Sequence, residues 1–179
     1  MQHRAILWIA VICMVLGWGT GKAQRESNST MVAVNIAESI AVVAWPDGFL
    51  DLDRGIMPGE EVVSPLLTIG VKANSLWGIE ISCDLPDGRM KEYDQELGAY
   101  VPDGSLVTHP MEWSAASSSG PWEPLSVAPS SIVANQTPTG DSGEEVKFYL
   151  RFVADYGDRP LPPGLDYRIV VQYTAGLNF

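Results

Sequence analysis

Chemistry in this chain would have to be done with few of the usual reagents. The 179 residues include two histidines, His3 and His109, and two cysteines, Cys13 and Cys83, all far apart. Zinc sites of the Cys and His kinds need three or four such ligands, and the material is lacking. A Ser-His-Asp triad would rest on His109 alone, and a Cys-His pair would have to bring Cys83 to it. Neither a Gly-x-Ser-x-Gly turn nor a phosphate-cradling glycine loop occurs. Carboxylates are the abundant group: 22 Asp and Glu against 11 Lys and Arg leave a net charge of −11.

Two chemistries use carboxylates. Asp47, Asp51 and Asp53, followed by Gly55 and Glu60-Glu61, form the densest acidic group. Hard oxygens at alternate positions of a turn suit calcium. The run Asp51-Leu52-Asp53-Arg54-Gly55 lacks the further regular ligands of an EF-hand loop, however, and the Pro58-Gly59 turn accounts for part of the group. A solvated acidic connection is the competing reading, and Asp141 with Glu144 and Glu145 is a thinner version of the same pattern. Paired carboxylates could also hydrolyse glycosidic bonds, but spacing singles out no two of the 22. No motif asks for a cofactor, and none is expected.

Aromatic residues offer binding rather than reaction. Trp113 and Trp122 flank a Ser- and Gly-rich stretch and, with Tyr100, are the candidate ligand-binding residues. A loop tryptophan can lay a flat apolar face against a sugar ring or a partner, or it can cap the end of a core. Trp45 and Trp77 share the apolar parity of strand segments, where burial is expected. Cys83 shares the parity of Ile79 and Ile81 and reads as a buried, inert thiol. His109 shares the parity of Val107, Met111 and Trp113 and reads as structural.

The elements that would position these residues are strands. Leu67, Ile69 and Val71 alternate with Thr68, Gly70 and Lys72; Trp77, Ile79, Ile81 and Cys83 alternate with Gly78, Glu80, Ser82 and Asp84. Val146, Phe148, Leu150 and Phe152 oppose Lys147, Tyr149 and Arg151, and Tyr167, Ile169, Val171 and Tyr173 oppose Arg168, Val170, Gln172 and Thr174. Period-two alternation marks half-buried strands. Weaker strands are expected at 32–36, 40–45 and 106–113, the last an edge because of Pro110. Pro-Asp-Gly occurs at 46–48, 86–88 and 102–104, supplying a fixed φ, a local acceptor and a residue tolerant of positive φ. Loops are expected at 114–129 and 137–143, and a single helical turn near Met90 to Leu97. Together these predict one all-β domain over 31–179, an antiparallel immunoglobulin-like β-sandwich of about seven or eight strands.

The N-terminus gives an address. The basic stub Met1-Gln2-His3-Arg4, the apolar run Ala5 to Leu16 and the small residues Gly17 to Ala23 read as a cleavable signal peptide over 1–23, with a flexible lead-in over 24–30. The run is shorter than the roughly 20 residues a membrane span requires. Cleavage after Ala23 removes His3, Cys13, Arg4 and Lys22 but no acid, so the mature part becomes more acidic and keeps one histidine and one cysteine. An intramolecular disulfide is then impossible. Such a surface repels nucleic acid and anionic lipid. Two sequons, Asn28-Ser29-Thr30 and Asn135-Gln136-Thr137, matter only where glycosylation machinery exists.

The segment Pro162-Pro163-Gly164-Leu165-Asp166-Tyr167-Arg168-Ile169-Val170-Val171-Gln172-Tyr173-Thr174 resembles the last strand of small secreted bacterial cell-surface β-sandwich domains. Asn74-Ser75-Leu76-Trp77-Gly78-Ile79 is similar to the Asn-x-x-Trp-x-Leu strand of such domains, the WxL group included, although Ile79 stands for the leucine and a second Trp-x-Leu is absent. The alternating final strand also resembles pilin-like and spore-coat-like subunits, without their usual disulfide. This resemblance, over about a third of the chain, implies an exported surface sandwich and does not extend to wall binding. The expectation is therefore a secreted, periplasmic or cell-surface protein that is structural rather than enzymatic. It would self-associate or bind protein partners, assembly proceeding by strand addition through the flexible 24–30 segment with Met31 to Ile36 or through an exposed edge, with no nucleic acid and no stable membrane span after signal cleavage. The alternative is a carbohydrate- or ligand-binding module, and the third reading a secreted carboxylate-dependent hydrolase.

Overall fold

The computed structural model describes residues 31, 33–48, 50–52 and 55–178. The expected signal peptide over 1–23, the lead-in over 24–30 and Asp53 of the acidic group lie outside them. The chain divides into two units, Met1–Ile36 and Ala37–Phe179. The described part of the first, residues 31 and 33–36, contains no strand.

The second unit is an antiparallel β-sandwich. Its strands are β1 (Ile40–Ala44), β2 (Glu61–Val63), β3 (Leu67–Ala73), β4 (Trp77–Cys83), β5 (Lys91–Asp94), β6 (Ala99–Tyr100), β7 (Glu112–Ser114), β8 (Glu123–Pro124), β9 (Ser130–Gln136), β10 (Glu144–Val153), β11 (Leu165–Arg168) and β12 (Val171–Leu177). One sheet runs β1-β3-β10-β7-β8 with β2 also on β10, a second runs β12-β4-β9, and a third runs β11-β5-β6. Several of these are pieces of one path. β2 and β3 both pair with β10, at Arg151 to Val153 and at Glu144 to Phe148. Between them the chain steps out of line, and Ser64 repairs the ladder: its backbone N–H donates to Leu150 O and its hydroxyl accepts from Leu150 N–H.

Alternation in the sequence becomes burial in the fold. Ile69, Val71 and Ala73 of β3 and Val146, Phe148, Leu150 and Phe152 of β10 face Trp77, Ile79, Ile81 and Cys83 of β4 across one continuous core. Trp77 and Phe148 are wholly buried, each contributing about 1.5–3 kcal/mol of apolar transfer relative to exposure. Trp77 also donates from Nε1 to Thr137 O at 2.9 Å, so its one polar atom is satisfied. Burial raises the Cys83 thiol pKa, which fits the inert reading.

Some local expectations change. Met90 to Leu97 is the short strand β5 and a turn, not a helical turn: Asp94 Oδ1 accepts the N–H groups of Glu96 and Leu97, each at 2.9 Å. That local acceptor imitates a helix start in the sequence. Of 106–113 only the last two residues are in an extended strand, the start of β7, which lies between β10 and β8 rather than at an edge. The stretch 130–136, which carries no clear alternation, is β9. No helix among the described residues is long and apolar enough to cross a membrane.

Candidate functional site

The most informative surface is the side of the sandwich where β12 and β1 both end their sheets. β12 pairs with β4 through seven consecutive residues, Val171↔Cys83 to Leu177↔Trp77, without a shift in register. Flanking bonds set the phase, since Asp84 N–H donates to Val170 O and Asn178 N–H to Leu76 O. Even-numbered residues therefore exchange hydrogen bonds with β4. Val171, Tyr173, Ala175 and Leu177 turn their N–H and C=O groups outward, as antiparallel pairing requires. Among the described residues nothing bonds to those groups.

The same four residues point their side chains at the core, yet none is fully buried. Their partners on β4, Cys83, Ile81, Ile79 and Trp77, are all buried. β1 repeats the arrangement in the facing sheet. Asn74 N–H donates to Ser39 O, which fixes the phase and turns the backbone of Ile40 and Val42 outward while their side chains pack on the core. The two strands meet through aromatic rings. Trp45, just after β1, stacks on Tyr173 with centroids 6.5 Å apart, and Tyr173 packs on Phe148 at 5.3 Å. Burial pushes the Tyr173 phenol up to about 12. Trp45, expected inside by parity, is 50% exposed, and among the described residues no strand pairs beyond β1 to cover it.

Edge strands normally carry devices against accidental pairing: charges, proline, bulges or brevity. The other edges have them. β8 is two residues, Glu-Pro, and β9 breaks register with β4 twice and holds Asn135 at φ 51°. β12 reads Val-Gln-Tyr-Thr-Ala-Gly-Leu, in unbroken register and without one charge or proline; β1 reads Ile-Ala-Val-Val-Ala, also without charge or proline, its one irregularity a register shift between Val42 and Ala44 at its end.

The candidates named from sequence are not brought together. Tyr100 lies on β6 and donates to Asp84 Oδ2 at 2.8 Å, with Tyr93 edge-on at 5.5 Å. Its pKa is raised, first by burial and then by the Asp84 carboxylate. Asp84 Oδ1 also takes Val170 N–H, so this carboxylate fastens the bend between β11 and β12. Trp113 is buried among core residues, its Nε1–H without an acceptor among the described residues. Trp122 lies under the Arg151 guanidinium, 4.7 Å from the ring centroid, and Arg151 is held by Glu112 at 2.5 Å and Glu61 at 3.2 Å. Trp113 thus caps the core and Trp122 covers an ion pair.

Asp47 and Asp51 are exposed, and no group of three or more His, Cys, Asp and Glu among the described residues could hold a metal ion. His109 sits half-exposed, 3.5 Å from Asp155. Two cavities occur. One of about 270 Å³ lies among Leu85, Pro86, Arg89, Lys91 and Leu106; one of about 230 Å³ lies among Trp113, Ala116, Pro121 and Ile132. Both fall below the roughly 300–1,000 Å³ usual for small-molecule sites. Arg89 is taken by Asp87 at 3.0 Å, and Lys91 Nζ donates to Pro102 O at 2.7 Å.

An exposed edge is an expectation of the sequence, but which strands form it is not. Their lack of charge was legible, but which strands end a sheet depends on pairing order. No protein-family model matches the chain, and no curated protein matches it either.

Proposed function

We propose that this chain is an exported, non-enzymatic structural and interaction subunit that works by accepting a β-strand along the edge formed by β12 and β1. One observation carries the reading: the inward row Val171, Tyr173, Ala175 and Leu177 is apolar and core-facing, yet incompletely covered, and among the described residues its outward backbone groups have no partner. A strand laid there would cover the apolar row and satisfy the main chain in one step. Strand addition of this kind takes affinity from backbone bonds and specificity from alternate side-chain pockets. Export is supported by the N-terminal pattern of basic stub, short apolar run and small residues. A ligand-binding module resting on Trp113, Trp122 and Tyr100 has less support, since each of the three is engaged within the fold.

Ala175→Lys tests the edge. An inward-pointing charge on an edge strand is a device natural proteins use to block pairing, and at a half-buried edge position the lysine stem can lie along the apolar row with its ammonium in water. The expected outcome is concentration-dependent association of the purified protein in light scattering, lost in Ala175→Lys, with the melting temperature within a few degrees of the parent. A protein that is monomeric up to millimolar concentration and unchanged by Ala175→Lys would sink the reading.

A further inference from the structure

We infer that the strand accepted at this edge is Met31–Ile36 of a second copy of the chain. The inference rests on the reading of β12 and β1 as a strand acceptor and names its occupant. The segment reads Met31-Val32-Ala33-Val34-Asn35-Ile36, with Val32, Val34 and Ile36 on one parity. Met31, Val34 and Ile36 are 94%, 80% and 78% exposed, so two apolar side chains at strand spacing, Val34 and Ile36, and Met31 on the other parity stand in water. Isolated exposed apolar residues need no explanation, but several in one short segment mark an interaction element.

Length, parity and charge agree with the acceptor. Six extended residues span roughly 20 Å at 3.3 Å per residue, close to the seven-residue reach of β12. A strand paired to β12 alternates between the core side and the outside. With Val32, Val34 and Ile36 on the core side, three branched apolar side chains would cover the incompletely buried Val171, Tyr173, Ala175 and Leu177 on β12 and Ile40 and Val42 on β1. Asn35 and Ala33 then face out beside Gln172 and Thr174. Neither the segment nor the two edge strands carries a charge, so no ionic group is desolvated in a protein whose net charge is −11. The contact is heterologous, because the donating and accepting surfaces differ. Repetition of such a contact gives open chains rather than a closed dimer.

Two measurements on the full chain test this. Val34→Asp with Ile36→Asp alters only exposed positions and so leaves the fold intact. It should lower the association constant at least about 100-fold, given the loss of two buried apolar side chains, while circular dichroism and melting stay unchanged. In a Cys13→Ser background, oxidation of Val34→Cys mixed with Ala175→Cys should give a disulfide joining one variant to the other, identified by peptide mass. Association lost in Ala175→Lys but kept in the Val34→Asp, Ile36→Asp variant would overturn the occupant and leave the edge reading standing. Association kept in both would overturn both. A Val34→Cys, Ala175→Cys chain that closes its disulfide within one monomer would also overturn the second-copy assignment.

Discussion

Glu92 shows how a single buried carboxylate is kept charged in this sandwich. It is 4% exposed, and its Oε2 accepts the N–H of Ser105 at 3.0 Å and a guanidinium N–H of Arg159 at 2.6 Å. These bonds, the Ser105 amide first and the arginine next, hold its pKa below the ordinary 4.5. Asp158 is similar: burial pushes it up, but the N–H groups of Asp155 and Thr108 and the Thr108 hydroxyl outweigh that and leave it below 3.8. A carboxylate whose folded pKa is depressed adds stability above its unfolded pKa and loses it as pH falls. Thermal melting should therefore hold steady from pH 7 to about 5 and drop as pH falls below about 4.5. Glu92→Gln should melt lower than the parent at pH 7 and show a flatter acid limb. An acid limb unchanged in Glu92→Gln would place the sensitivity elsewhere. Nothing in the sequence distinguishes Glu92 from the other acids, because its role depends on Arg159, 67 residues away. The buried position of Cys83, by contrast, is legible from the parity of Ile79 and Ile81.

At the scale of elements, alternation foretold faces better than neighbours. The rows Ile69, Val71 and Trp77, Ile79, Ile81 and Val146, Phe148, Leu150, Phe152 are buried as their spacing predicts. Trp45 shared the apolar parity of its segment and is half in water, since parity gives the face of a strand and not whether another strand lies beyond it. The break between β2 and β3 was equally invisible, because Ser64 looks like an ordinary loop residue. It is 5% exposed, and its hydroxyl accepts Leu150 N–H at 3.0 Å while donating to Pro65 O at 2.8 Å. Ser64→Ala removes the acceptor and leaves the Leu150 amide buried without one. An orphaned buried donor costs about 1–3 kcal/mol, which for a domain of this size corresponds to a melting decrease of roughly 3–10 °C. Ser64→Gly, which loses the same hydroxyl, should fall at least as far. A loss under 1 °C in Ser64→Ala would mean that water replaces the hydroxyl at the bulge.

For the whole molecule, charge and assembly oppose each other. Each copy carries −11, so copies repel at long range, while the surfaces proposed to join, Met31–Ile36, Ile40–Ala44 and Val171–Leu177, hold no charge at all. The contact itself is main-chain hydrogen bonding and apolar burial, which simple salt leaves almost untouched. Repulsion between the acidic bodies, by contrast, is screened over about 10 Å at 0.1 M and about 3 Å at 1 M. Association should therefore strengthen as sodium chloride rises from low to high concentration, whereas an interface built on ion pairs weakens under the same change. The check is the association constant from light scattering across a salt series, run beside the Val34→Asp, Ile36→Asp variant. Two added acids on the donor segment should leave that variant monomeric even where repulsion is fully screened, because the loss lies in the apolar strip and not in the long-range field. Weakening of the parent assembly by salt would instead assign the contact to charged groups on the strand faces, such as the Arg151, Glu112 and Glu61 cluster, and would remove the edge from consideration.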